Sequence, residues 1–224
     1  MDTRRVLMAA LILSASVLSS KAAPLGVCFN DEFNGDEVNE SVWNTRGNIF
    51  VGEHGAAPGS IKIDATSKIL SQIDSQITVA PETGQTVELS FVGLSATAWG
   101  EGMSWGLSNV EATDFILLQC PVGQSEGSKE LILILRKDGG EEQRFRIGRA
   151  NETNGSWRIE WSIDRVVVLR DGNPVFDSND GGTDTGESWR IPTAPLSATA
   201  STYINDNAIS IESISLGVIA GKGE

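Results

Sequence analysis

The chain has 224 residues, with 17 Lys and Arg against 30 Asp and Glu for a formal net charge of −13, and it carries 24 Gly, two Cys and one His. That acidity argues against nucleic acid, whose phosphates are held by Lys and Arg, and against an anionic membrane surface. With 40% hydrophobic residues the chain is neither disordered nor polytopic, and one His leaves little room for a His-rich metal site or a nucleophile with a His base.

The first segment reads as a targeting signal rather than as fold. Arg4 and Arg5 precede an apolar run from Val6 to Leu18, too short to span a bilayer comfortably, and small residues follow at Ser19, Ser20, Ala22 and Ala23. Residues 1–22 are expected to be a secretory signal peptide cut after Ala22, leaving one domain over 23–224 in a secreted or periplasmic product. The competing reading is an uncleaved anchor. Residues 1–22 take with them three of the 17 basic residues and one of the 30 acidic ones, so the remainder carries −15. Val27 stands where a lipobox before Cys28 needs a small residue, so no lipid anchor is expected. Cys28 and Cys120 can pair in an oxidising compartment, closing a loop of about 90 residues worth on the order of 4–5 kcal/mol. Two buried free thiols are the alternative.

Beyond the signal, Gly, Asn and Asp punctuate short β-branched or alternating runs, the pattern of many strands and tight turns. From Thr86 to Leu94, Val87, Leu89 and Phe91 share one face while Glu88 and Ser90 share the other, which predicts a half-buried strand. Leu131–Leu135 and Val166–Leu169 are apolar without alternation and are placed inside, covered on both faces. Asp138-Gly139 and Asp171-Gly172 follow these runs as primed hairpin turns, and Leu131 to Asp177 reads as one antiparallel meander. The last strand, from Ala208 to Leu216, puts Ile209, Ile211 and Ser213 on one face and Ser210, Glu212 and Ile214 on the other. No amphipathic helix stands out, with Ser67 to Ile73 ambiguous. The class is all-β, an antiparallel β-sandwich of two packed sheets.

The order of motifs resembles a known superfamily. Phe29-Asn30-Asp31-Glu32-Phe33-Asn34-Gly35 followed by Val42-Trp43-Asn44 is similar to the opening strand of concanavalin A-like lectin/glucanase jelly rolls, laminarinase-type glycoside hydrolases in particular. Trp157 to Gly172 resembles their late paired strands, and Ile209 to Leu216 the closing strand that lies beside the first. The resemblance spans residues 27–217 and implies a jelly-roll fold. The hydrolytic members carry E-x-D-x-E on one strand, so that alternation directs three carboxyls into the cleft. Here Trp99 to Leu107 resembles the strand before the catalytic one, and Asp114-Phe115-Ile116-Leu117-Leu118-Gln119 comes next. Its alternate sets are Asp114, Ile116, Leu118 or Phe115, Leu117, Gln119, and neither performs the reaction.

What remains is a binding surface. The resemblance implies recognition of extracellular carbohydrate, polysaccharide or glycoprotein, on the concave sheet by a non-catalytic module. Trp157 and Trp161 alternate with polar residues and are assigned to the core, and Trp43 is expected to plug the sandwich. Trp99 and Trp105 flank a Gly-rich stretch around Glu101, and this trio is the candidate stacking and hydrogen-bonding surface, with core packing as the bland alternative. Arg46 and His54 are placed on its rim, against a solvated loop histidine. No cofactor is expected. Asp177, Asn179, Asp180 and Asp184 concentrate oxygens in a Gly-rich loop, where a solvated turn competes with Ca²⁺. A glycan-active enzyme using Glu101, Glu111 or Asp114 is the second functional reading, and a structural envelope or matrix protein the third. Sequons begin at Asn39, Asn151 and Asn154.

Overall fold

A computed structural model of the protein describes residues 25–52, 58–65, 70–97, 102–121, 130–180, 186–203 and 207–221. Residues 1–22, read above as a signal peptide, lie outside them. The strands are β1 (Gly26–Asp31), β2 (Trp43–Arg46), β3 (Asn48–Val51), β4 (Ile61–Asp64), β5 (Ser71–Val79), β6 (Gln85–Ala96), β7 (Met103–Ser108) and β8 (Phe115–Cys120). They continue with β9 (Glu130–Arg136), β10 (Gln143–Arg149), β11 (Gly155–Trp161), β12 (Val166–Arg170), β13 (Asn173–Asp177), β14 (Leu196–Thr202), β15 (Ala208–Ile211) and β16 (Ser213–Ala220).

All pairings are antiparallel, and they form two sheets. Seven strands run in the order β10-β9-β8-β7-β14-β5-β2. Nine form the other sheet, in which β13-β12-β11-β6 continues through β15-β4-β3, while β16 joins the same β6 and carries β1 on its far side. The closing strand lies beside the first, with Phe29 opposite Leu216. Val87, Leu89 and Phe91 are fully buried, as the period of two requires, and the four largest buried side chains are Trp43, Trp105, Trp157 and Trp161. The opening motif acquires a physical meaning. Asp31 accepts the Trp43 indole N–H at 2.8 Å, and Phe29 meets the same indole edge-on at 5.2 Å, so the first strand pins the tryptophan that closes this end of the core.

Both Asp-Gly turns form as expected. Asp138 and Gly139 have φ of 53° and 67°, and Asp171 and Gly172 have 49° and 79°, the two successive positive values of a type I′ turn. The single meander does not. After the β9–β10 hairpin the chain makes one 3-10 turn at Ala150–Glu152 and crosses to the other sheet, where β11, β12 and β13 pair in sequence. Alternation within each strand is indifferent to such a crossing, which is why the sequence reads as continuous.

The last strand is also divided. Ile209 and Ile211 face the core, but the next buried residues are Ile214, Leu216 and Val218, so the register slips at Glu212. β6 shares the slip, passing from Phe91 to Leu94 at the same level, while β11 on its other side takes only the two-residue step from Trp157 to Gly155, so β6 bulges against it. The expected disulfide is absent. Cys28 is a half-buried thiol on β1 in the nine-stranded sheet and Cys120 a buried one on β8 in the other, and both are free. Burial raises both thiol pKa values, that of Cys120 to about 12.

Candidate functional site

Two cross-strand rows define the outer face of the seven-stranded sheet. Met103, Trp105 and Leu107 of β7 point inward and are wholly buried, so Ser104, Gly106 and Ser108 point out. The same logic turns Ile116, Leu118 and Cys120 of β8 inward and leaves Phe115, Leu117 and Gln119 on the outer face. Backbone register then assembles the rows. One runs Asn44, Asp74, Thr199, Gly106, Leu117, Ile134 and Arg144, and the next runs Arg46, Gln72, Ser201, Ser104, Gln119, Ile132 and Arg146.

This face has two chemically distinct halves. Over β2, β5, β14 and β7 it is a grid of amides, hydroxyls, one carboxylate and one guanidinium. Gln72 donates to both Asp74 oxygens at 2.9 and 2.8 Å, and the hydroxyls of Ser104 and Ser201 meet at 2.8 Å. Gly106 lies at the centre, with φ of 146°, and a Cβ there would stand 2.2 Å from the Ile116 carbonyl oxygen. Only glycine lets β7 approach β8 this closely, and its bare backbone leaves a floor between Thr199 and Leu117. Over β8 and β9 the face is apolar, with Phe115, Ile132 and Ile134 forming a cluster separate from the main core and Leu117 packed on it. Arg136 lies over the Phe115 ring at 5.7 Å, and Arg146 pairs with Glu130 at 3.2 Å.

Carboxylates do not converge on this described face. Asp74 on β5 and Glu130 on β9 are four strand spacings apart, about 19 Å. Two-carboxylate glycoside hydrolysis uses roughly 5–9.5 Å. Asp114 precedes β8 but is buried, and its carboxylate accepts from Thr113 and from the backbone N–H of Asp138, tying the 109–114 turn to the 137–140 turn. Glu111 is exposed on that first turn.

The candidate trio fares unevenly. Trp105 is no stacking platform: it is 0% exposed, packed edge-on to Trp157 at 5.7 Å, with small Ala200 beside it on β14. Strand alternation turned it inward, and the neighbouring glycine relaxed the backbone without opening the ring. Trp99 and Glu101, like His54, lie outside the described residues. Arg46 is exposed on the outer face, at the end of the second row. In the acidic loop, Asp177 accepts two hydrogen bonds from the Arg165 guanidinium and one from the Asn179 backbone N–H, and these hold its carboxyl below the usual carboxylate range. Asn179 and Asp180 are exposed, and Asp184 lies outside the described residues. Among the described residues no three His, Cys, Asp or Glu side chains gather as metal ligands.

Two aromatic features escaped the reading of the sequence. Tyr203 follows Ser197, Thr199 and Ser201 in the outward alternation of β14, one residue past the strand, and is 40% exposed. Its signal was the small-residue alternation from 197 to 203, which is weak because Ser and Thr sit comfortably on either face. The other is Trp189, which joins Phe145 and Phe176 where the two sheets part; no local pattern links residues so distant in sequence.

No protein-family model and no curated protein sequence matches the chain. Solved structures do. The carbohydrate recognition domain of Emp47p superposes with a TM-score of 0.59 at 12% identity, covering 86% of this chain and 94% of that one. An endo-β-1,3-glucanase from Pyrococcus furiosus gives 0.56 at 12%, covering 88% and 96%. A lichenase from a mouse hindgut metagenome gives 0.55 at 12%, covering 84% and 98%. At such identities the likeness speaks for the fold alone. Two antiparallel sheets, the closing strand beside the first and these superpositions together establish a concanavalin A-like jelly roll of the kind shared by lectins and glucanases.

Proposed function

We propose that the protein is an exported, non-catalytic module that binds carbohydrate across the polar half of the outer face of its seven-stranded sheet. The observation that carries this reading is the grid itself. Asn44, Arg46, Gln72, Asp74, Ser104 and Ser201 present donors and acceptors in two rows at strand spacing, the chemistry that pairs with a run of sugar hydroxyls. Tyr203 at the end of β14 supplies an exposed aromatic ring of the sort that covers an apolar sugar face. The wide separation of Asp74 from Glu130 supports binding without bond cleavage. Export rests on residues 1–22, and an N-terminus at Ala23 in the released protein would support it.

The test is incubation of the purified protein with immobilised polysaccharides, scoring retention and new reducing ends together. The expected result is retention without release of sugar, weakened at least several-fold in Gln72→Ala and in Asp74→Asn. Oligosaccharide released by wild type and lost in Asp114→Asn would overturn the reading in favour of an enzyme, and retention untouched by both face variants would move the site elsewhere.

A further inference from the structure

The two sheets part along one side of the sandwich. There β10 ends the seven-stranded sheet and β13 ends the nine-stranded one, and among the described residues no backbone ladder joins them. A strap over residues 186–195 bridges this seam. Gln143 fixes it by donating to the Ser188 carbonyl at 3.2 Å and accepting the Arg190 backbone N–H, and the Pro192 carbonyl accepts the Trp161 indole N–H at 2.9 Å. So held, the strap sets Trp189 against Phe145 of β10 and Phe176 of β13. The ring centroids are 5.1 to 6.1 Å apart, with Trp189 nearly perpendicular to Phe176 at 85° and to Phe145 at 77°.

Beside these rings is a cavity of about 280 Å³, completed by Pro174, Val175, Asp177 and Asp180. Phe145 and Trp189 are only half-buried, so the aromatic wall is not sealed within the core. Every charged side chain in the described lining is a carboxylate. Asp177 is partly offset by Arg165, and Asp180, exposed at the rim, adds a second negative charge. Aromatic faces carry negative electrostatic potential, and carboxylates at the rim reinforce it. A neutral apolar guest would gain from the rings but nothing from the carboxylates. An inorganic cation would gain from the carboxylates but stay too strongly hydrated to use the rings.

We propose that this seam pocket is a binding site for an organic ammonium cation, a quaternary or alkylated amine whose charged head lies against Phe145, Phe176 and Trp189 with Asp180 at its rim. The site is independent of the sheet face assigned to carbohydrate. Isothermal titration of the full chain with choline tests it, alongside 3,3-dimethyl-1-butanol, the uncharged carbon analogue of the same shape. Choline binding is expected, with the alcohol at least several-fold weaker. Trp189→Ala should weaken choline roughly 3- to 30-fold. Asp180→Asn, on an exposed residue that leaves the strap intact, should weaken it roughly 2- to 5-fold. No choline binding, equal binding of choline and the alcohol, or binding indifferent to Asp180→Asn would each overturn the proposal.

Discussion

Replacing Trp105, Trp157 and Trp161 by phenylalanine separates packing from hydrogen bonding, and Trp105 is the informative case. Its indole is 0% exposed, yet among the described residues its N–H finds no acceptor. Trp157 and Trp161 are equally buried, but their N–H groups donate to the Thr153 and Pro192 carbonyls at 2.7 and 2.9 Å. Trp→Phe shrinks the ring at all three positions. At 157 and 161 it also strips a buried carbonyl of its partner, adding about 1–3 kcal/mol. At 105 it removes an unpaired donor, a gain of comparable size that offsets the lost volume, so Trp105→Phe is expected within about 1.5 kcal/mol of wild type. Trp105→Ala has no such offset and should cost about 3–5 kcal/mol. For a chain of this size that lowers Tm by about 6–20 °C. Urea and thermal unfolding followed by far-UV circular dichroism measure all four variants. Trp105→Phe as damaging as the other two Phe variants, or Trp105→Ala shifting Tm by less than about 3 °C, would refute the placement of this ring. The same numbers warn that lost glycan retention in Trp105→Ala reports unfolding, not a contact.

Three further outcomes follow from the structure. Gly106→Ala places a methyl 2.2 Å from the Ile116 carbonyl and should push β7 off β8, costing more than about 2 kcal/mol in urea midpoint stability; a silent substitution would contradict the close approach. Thiol labelling of the native protein near pH 8 should modify Cys28 first, because Cys120, buried with its pKa near 12, reacts only as fast as the fold opens. An intact mass two daltons low that resists alkylation would instead reveal a bridge. The Arg165–Asp177 pair lowers the folded-state pKa of Asp177, so its stabilisation is present above the unfolded pKa of about 4 and fades as pH falls through the lower folded value. The difference in urea midpoint between wild type and Asp177→Asn should therefore be constant from pH 5 to 7 and shrink below about pH 4; a difference that grows with acid would reverse the sign.

Strand identity was legible wherever one face is buried and the other wet: Val87, Leu89 and Phe91 announce β6, and Asp138-Gly139 and Asp171-Gly172 announce their turns. What could not be read was direction. On β8 both alternate sets are largely apolar, because Ile116 and Leu118 enter the main core while Phe115 and Leu117 join a second cluster outside it. Without a hydrophilic face the sequence offers both choices, and only the partner strands decide. Trp105 misled for a related reason, since a tryptophan between Ser104 and Gly106 has polar or small neighbours whichever way it points. The division at Glu212 was hidden because a one-residue slip leaves composition unchanged while exchanging the faces on either side of it. The two cysteines sit on opposite sheets, and no count or spacing reveals that.

The pairing of β1 with β16 also bears on how the chain becomes a protein. A ribosome delivers residues 26–31 at the start of the fold and residues 214–218 at its end, so the first strand has no ladder partner until nearly everything else has been made. β6 waits similarly, since β15 and β16 complete one of its two sides. Closure of the nine-stranded sheet therefore waits until residues 208–220 have emerged, and a nascent chain stopped before residue 208 should stay protease-sensitive throughout this sheet even with the β9–β10 and β12–β13 hairpins already emerged.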